Sequence, residues 1–228
     1  MSSAESHAEN PYLAHHFETE EQQEESCTLG MWLFLAQEVM FFGGLFLAYA
    51  IYRALYPEAW SAGSHALDVV IGGANTVFLL LSSFTMAMGV YYAQTSKSRQ
   101  LVLMLLATLA LGITFVVVKW FFEYAPKIEA GVFPGSLWAP NPGDQHYGHL
   151  AFFEGQGLEM FFVLYFIMTG MHAFHMIIGF GILLVLITMA AKGEFHAQRY
   201  MPILFFGLYW HFVDIVWVFL FPMFYLVS

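Results

Sequence analysis

The chain has 228 residues, of which 59% are apolar, 19% aromatic and only 11% charged, well below the roughly 25% charge of an ordinary soluble domain. Its formal net charge of −10, with seven Lys and Arg in all, excludes the basic footprint that nucleic-acid binding needs. Cys27 is the only cysteine, which excludes an internal disulfide, a cysteine-ligated iron–sulfur cluster and a two-thiolate dicopper centre.

Residues 1–28 contain seven acids (Glu5, Glu9, Glu18, Glu20, Glu21, Glu24, Glu25) and no Lys or Arg. They lack a signal peptide's basic start and are expected to form an acidic cytoplasmic tail. Residues 29–228 then read as one polytopic domain. Five windows are apolar enough to cross a ~30 Å hydrocarbon core as helices, near 29–53, 68–94, 100–123, 158–190 and 201–226. The breaks are Tyr56-Pro57-Glu58 with Ser61-Ala62-Gly63-Ser64, then residues 94–99, then a long loop, then Ala191-Lys192-Gly193-Glu194. The expected fold is an all-α membrane protein, a bundle of five transmembrane helices.

Basic residues in short loops stay on the cytoplasmic side. Lys97, Arg99, Lys192 and Arg199 share one side, against Arg53 and Lys127 on the other, with Lys119 placed to snorkel from the end of the third helix. This puts the N-terminus inside and the C-terminus outside. The loop 124–157 would be external, with Pro126, Pro134, Pro140 and Pro142 forbidding a continuous helix across it. Trp60, Trp120 and Trp138 near that boundary, and Trp32 near the opposite one, suit interfacial aromatic belts.

Polar groups inside the spans are few. Glu38 lies about 14 Å into the first span, where an ionised acid costs about 2.5–3.5 kcal/mol; it is expected to be neutral or hydrogen-bonded, as interhelical glue or in a proton-linked role. His172 and His175 share a face of the fourth helix, and His211 and Asp214 a face of the fifth. Satisfied interhelical hydrogen bonds, a proton relay and haem or metal ligation all fit that spacing. Asn75, Thr76, Ser82 and Ser83 in the second span supply polar packing, with Gly72 and Gly73, Gly43 and Gly44, and Gly170, Gly179 and Gly181 expected to allow close helix approach. Asp144, His146 and His149 in the loop have a spacing compatible with a metal, although such groups often stand idle in Gly- and Pro-rich loops.

The stretches MWLFLAQEVMFFGGLFLAY (31–49), ANTVFLLLSSFTMAMG (74–89), TGMHAFHMIIG (169–179) and YWHFVDIVWVFLF (209–221) resemble successive helices of subunit III of the haem-copper respiratory oxidases. Phe122-Glu123-Tyr124 resembles the end of the helix between the second and third of these. Glu38 falls at the position of that family's intramembrane glutamate. The mitochondrial form has two further helices at its start, so the likeness is to five-helix bacterial members.

The resemblance implies a subunit of a cytochrome c oxidase type terminal oxidase with no redox centre, metal or other cofactor of its own, docked directly on subunit I, which holds the haems and copper. Subunit II, a larger respiratory supercomplex and membrane lipid are further implied partners, and a bacterial inner membrane the implied location. Its role would be to sustain proton uptake and protect subunit I. Glu38, His172, His175, His211 and Asp214 would be the polar interior, and Lys192, His196 and Arg199 would face a phospholipid headgroup, since cations at a cytoplasmic boundary attract anionic lipid. Quinol is the alternative electron donor. Rival functions are an accessory chain of a nitric oxide reductase, a proton-coupled transporter, against which stands the lack of a repeat or broken helix, and a histidine-ligated cytochrome.

Overall fold

Helix is the structure a chain can hold in hydrocarbon without closing a barrel, because every backbone polar group is satisfied within its own segment. The computed structural model describes residues 17, 19–135, 137–153 and 157–227. Among these residues the one strand-like pairing is an isolated bridge between Val132 and Trp138. The elements are α1 (Glu20–Leu55), α2 (Pro57–His65), α3 (Val69–Gln94), α4 (Ser98–Lys119), a π-helical turn (Trp120–Tyr124), α5 (Ala125–Glu129), a 3-10 turn (Gly148–Phe152), α6 (Leu158–Ala191) and α7 (Met201–Tyr225). Five segments are long and apolar enough to cross a membrane: α1, α3, α4 continued through α5, α6 and α7.

Helices and expected spans differ where charge or proline is involved. α1 starts at Glu20, not at residue 29. Hydropathy locates the membrane-embedded part of a helix, whereas acids such as Glu20 and Glu21 suit the positive end of its dipole in water. The rest of the acidic tail, with Glu5, Glu9, Glu18, His7, His15 and His16, lies outside the described residues. The expected break after Tyr56 is itself helical, because Pro57 at the first position of α2 needs no backbone N–H there. Likewise the helix does not stop before Pro126. The π turn shifts the hydrogen-bond register and Pro126 falls in the first turn of α5, so helix continues to Glu129.

By internal contacts the chain divides into Met1–Phe41 and Phe42–Ser228. The first unit contains the opening turns of α1, on which Trp32 is exposed. In the second unit α7 packs on α3 and α6, and α4 packs on α3 and α6. The start of α3 is held by Asp68, whose Oδ1 accepts from the backbone N–H of Val70 at 2.8 Å and Ile71 at 3.1 Å, a cap that contributes about 1 kcal/mol.

Trp210 ties this unit together. Its indole N–H donates to Ser82 Oγ of α3 at 2.9 Å, and its ring fills space left by Gly112 of α4 and Gly179 of α6. A Cβ added at Gly179 would meet that ring at 2.8 Å, and one at Gly112 would meet Phe180 at 2.8 Å. Gly72 is similarly covered by Tyr225. The expectation of close packing fails for Gly43, Gly44, Gly170 and Gly181, where a Cβ would meet nothing within 4 Å. They lie on open helix faces, which small-residue spacing alone does not distinguish from packed ones.

Gly170 and Gly179 therefore provide a matched test on one helix. Gly179→Ala should lower the thermal midpoint, by the equivalent of about 1–3 kcal/mol for overpacking, whereas Gly170→Ala should leave it unchanged or raise it through helix propensity. Equal midpoints for the two purified variants would contradict the packing described.

Candidate functional site

A buried charge cluster forms where α4 ends against α6 and α7. The π turn turns Trp120, Phe121 and Phe122 outward, at 52%, 64% and 60% exposure, while Lys119 and Glu123 point inward at 2% and 1%. Lys119 Nζ lies 2.5 Å from Glu123 Oε2 and donates to the hydroxyls of Tyr165 at 3.0 Å and Tyr225 at 2.5 Å. Both hydroxyls donate in turn to Glu123 Oε2, that of Tyr165 at 2.6 Å. One carboxylate oxygen thus accepts from three donors, and the buried Oε1 has no hydrogen bond. Lys119 Nζ also sits 4.7 Å from the centre of the Trp217 ring.

Lys127, one turn beyond Glu123, is equally buried. Its Nζ donates to the Glu123 carbonyl at 3.2 Å and lies over the rings of Tyr165 and Tyr147 at 5.3 and 5.6 Å. Beside the cluster, the Tyr124 and Thr169 hydroxyls are 2.6 Å apart. Lys119 does not snorkel as expected, and Lys127, counted among the basic residues of the outer side, is buried as well. A lysine stem reaches for water when the bundle offers no partner; here an acid one turn away and a set of tyrosines offer several. Breaking such a buried pair from one side costs about 3–5 kcal/mol.

The second polar region follows the α3–α7 contact. The Trp217 indole N–H donates to Thr76 Oγ1 at 3.0 Å, Thr76 Oγ1 donates to the Gly72 carbonyl at 2.9 Å, and Ser83 Oγ and His211 Nδ1 share a hydrogen bond of 2.7 Å. Ser82 receives Trp210 as described, so Thr76, Ser82 and Ser83 are brought together as interhelical polar packing. Asn75 is buried with neither amide atom hydrogen-bonded. His211 bonds to Ser83 and not to Asp214, whose buried carboxylate oxygens have no well-formed hydrogen bond, with Ser83 the polar side chain acting on them.

The two histidines of α6 diverge. His172 is buried between Phe115 and Trp217, with Nε2 at 3.2 Å from the Val213 carbonyl and Nδ1 unbonded. His175 Nδ1 bonds within its own helix to the Met171 carbonyl at 2.7 Å, and its own carbonyl accepts from the Tyr209 hydroxyl at 2.8 Å. Glu38, in the first unit, is 9% exposed.

The residues expected at a lipid headgroup lie in the turn between α6 and α7. Lys192 is exposed, His196 Nδ1 is 3.0 Å from Gln198 Oε1, and Arg199 forms an ion pair of 3.2 Å with Glu194. In the loop before α6, Asp144 Oδ1 accepts from the backbone N–H groups of Tyr147 at 2.6 Å and His146 at 2.8 Å. Those two bonds hold the Asp144 carboxyl below its ordinary range, so the acid closes a turn. Burial, with the Glu123 charge behind it, pushes the Tyr147 hydroxyl up to about 12. Among the described residues no three His, Cys, Asp or Glu side chains come together. Of the expected interfacial tryptophans, Trp32 and Trp120 are exposed, but Trp60 is fully buried against Tyr49 and Phe161 because α2 folds back onto the bundle. Trp138 packs on Phe162.

Known proteins share this sequence pattern over nearly its whole length. The family model for cytochrome c oxidase subunit III matches residues 6–142 and 145–228. The cytochrome c oxidase subunit 3 of Thermostichus vulcanus is 27% identical over 201 residues, covering 88% of this chain and 87% of that protein. The probable quinol oxidase subunit 3 of Staphylococcus haemolyticus is 28% identical over 205 residues, 88% of each chain. A heme-copper oxidase subunit I+III of Aeropyrum pernix is 31% identical over 205 residues, 86% of this chain but 22% of that much longer protein. With five helices able to cross a bilayer and a family match covering almost every residue, the chain is a multi-pass membrane protein of the cytochrome c oxidase subunit III family.

Proposed function

We propose that this chain is the subunit III of a proton-pumping cytochrome c oxidase that reduces oxygen to water in a bacterial inner membrane, with its N-terminus inside and C-terminus outside. It carries no electron. Haems and copper belong to subunit I, on which it docks, with subunit II in the same complex. The observation that carries the proposal is the family match along the chain. Docking on subunit I is supported by the relative whose name joins subunits I and III in one protein. The burial of Lys119 and Lys127 supports the orientation, because it leaves Lys97, Arg99 and Lys192, with the half-buried Arg199, on one side against the exposed Arg53 on the other.

The chain's contribution is to hold subunit I in its working form and to sustain proton uptake, with Glu38 as the proton-linked group, and to bind phospholipid at Lys192, His196 and Arg199. A quinol-oxidising complex is the second reading, supported by the staphylococcal relative named for quinol.

A tagged copy purified in mild detergent should bring down a haem- and copper-bearing subunit I and subunit II, and the complex should consume oxygen with reduced cytochrome c. Oxygen consumption with quinol alone would favour the second reading. Copurification with a nitric oxide reductase, or recovery of the chain alone, would contradict both.

Glu38→Gln keeps side-chain volume and hydrogen-bonding capacity, so the complex should assemble at the parental yield, with proton uptake by the intact oxidase reduced. Glu38→Lys places a cation without a built partner in the span and should cut assembly severely. Parental yield of the lysine variant would show that the position is open to water.

A further inference from the structure

The loop between α5 and α6 holds a cavity of about 440 Å³ walled by Trp138, Pro140, Pro142 and Phe153, with Glu159 of the first turn of α6 among its lining. Its walls are fixed from behind. The Ala139 N–H donates to the Gly131 carbonyl at 2.9 Å and the Asn141 N–H to the Ala130 carbonyl at 3.0 Å, so the proline-bearing segment is tied to the end of α5. Proline restricts the same backbone further. Trp138 packs on Phe162, with ring centres 5.7 Å apart, and is only half-buried.

Glu159 is held in place yet keeps most of its capacity to bind. Its Oε1 accepts from the Gly135 N–H at 3.0 Å, and the Gly135 carbonyl accepts from the Trp138 N–H at 3.1 Å, so one short turn sets acid and indole side by side. The side chain is exposed and forms no ion pair with any described residue. A carboxylate can accept about four hydrogen bonds, and one is used. No Lys or Arg occurs from residue 128 to residue 191, while Glu129 and Glu159 are both exposed, so the field over the loop is negative. Phe152, between two wall segments, adds apolar surface at 71% exposure.

An apolar slot beside an acid repels phosphate and suits a cation on a long apolar stem. A planar guanidinium can stack on an indole while pairing with a carboxylate, which a compact ammonium does less well. We propose that this cavity receives an arginine side chain from an exposed segment of a neighbouring subunit, its guanidinium stacked on Trp138 and paired with Glu159. The contact deepens the proposed function and rests on it, since it requires this chain to work inside a larger membrane complex. It gives that complex a joint beyond the spans, where an ion pair forms without entering hydrocarbon.

The test uses the intact copurified complex with photoreactive benzoylphenylalanine introduced at Phe152. Illumination and peptide mass spectrometry should give one main protein adduct, on an arginine-bearing segment of another subunit. Glu159→Gln keeps an oxygen for the Gly135 N–H but removes the charge, and should lower that adduct about fivefold. Glu159→Arg should abolish it, and changing the mapped arginine to Glu in the same complex should bring it back. Because the parental adduct is read without any change at Glu159, a folding defect in a variant cannot hide the answer. Adducts with lipid or within this chain alone, an adduct on a segment without arginine, or one insensitive to Glu159→Gln, in a complex of unchanged subunit content, would overturn this contact and leave the proposed function standing. Recovery of the chain alone would overturn both.

Discussion

An ion pair inside a membrane bundle must be answered by groups from neighbouring helices, and Lys119–Glu123 imposes that condition on this fold. Its answer comes from Tyr165 of α6 and Tyr225 of α7, so three helices are fixed in depth relative to one another at a single point. The π turn serves the same end, because it lets three consecutive aromatics face outward between two inward charges. Once Glu123 is placed, Lys127 follows one turn later, and Tyr147 covers it from the loop before α6. The polar group that would be most costly to leave alone in hydrocarbon becomes the joint that organises one end of the bundle.

At mid-depth, specificity comes from single hydrogen bonds between side chains that also fill space. Trp210 to Ser82 and His211 to Ser83 pair α7 with α3 at one level, and Trp217 to Thr76 pairs them about two turns away. Each tryptophan couples a large buried area to one donor that must find an oxygen, which locks register more firmly than apolar packing could. α7 has the largest buried share of the five candidate spans and packs on both α3 and α6. A rigid frame of this kind, with broad apolar outer faces, is what an accessory subunit needs to brace a larger membrane partner, which is the role proposed for it.

The five spans were legible because length and hydropathy are imposed by the bilayer itself, and the resemblance of four motifs to a known family agreed with the match found over the chain. Thr76, Ser82 and Ser83 were legible too, since hydroxyls within an apolar helix have little to do except bond to neighbours. The buried cluster of Lys119, Glu123 and Lys127 was not: Lys119 was expected to snorkel, and the other two carried no expectation of burial. At the end of a span, a charge that snorkels and one that turns inward look alike, and the deciding partners, Tyr165 and Tyr225, lie 46 and 106 residues from Lys119. The i, i+4 spacing of the three charges was the available signal. Trp60 was misplaced for a related reason, since its burial depends on a short helix that the Pro- and Gly-containing segment did not suggest.

The inward direction of the charged side chains is tested most directly by amine labelling of the intact complex under native conditions, followed by peptide mass spectrometry. The chain has four lysines, Lys97, Lys119, Lys127 and Lys192. Lys97 and Lys192, which are exposed, should be modified readily, and Lys119 and Lys127 only after denaturation. Modification of Lys119 under native conditions at a rate near that of Lys192 would contradict the buried cluster and the register it sets among α4, α6 and α7.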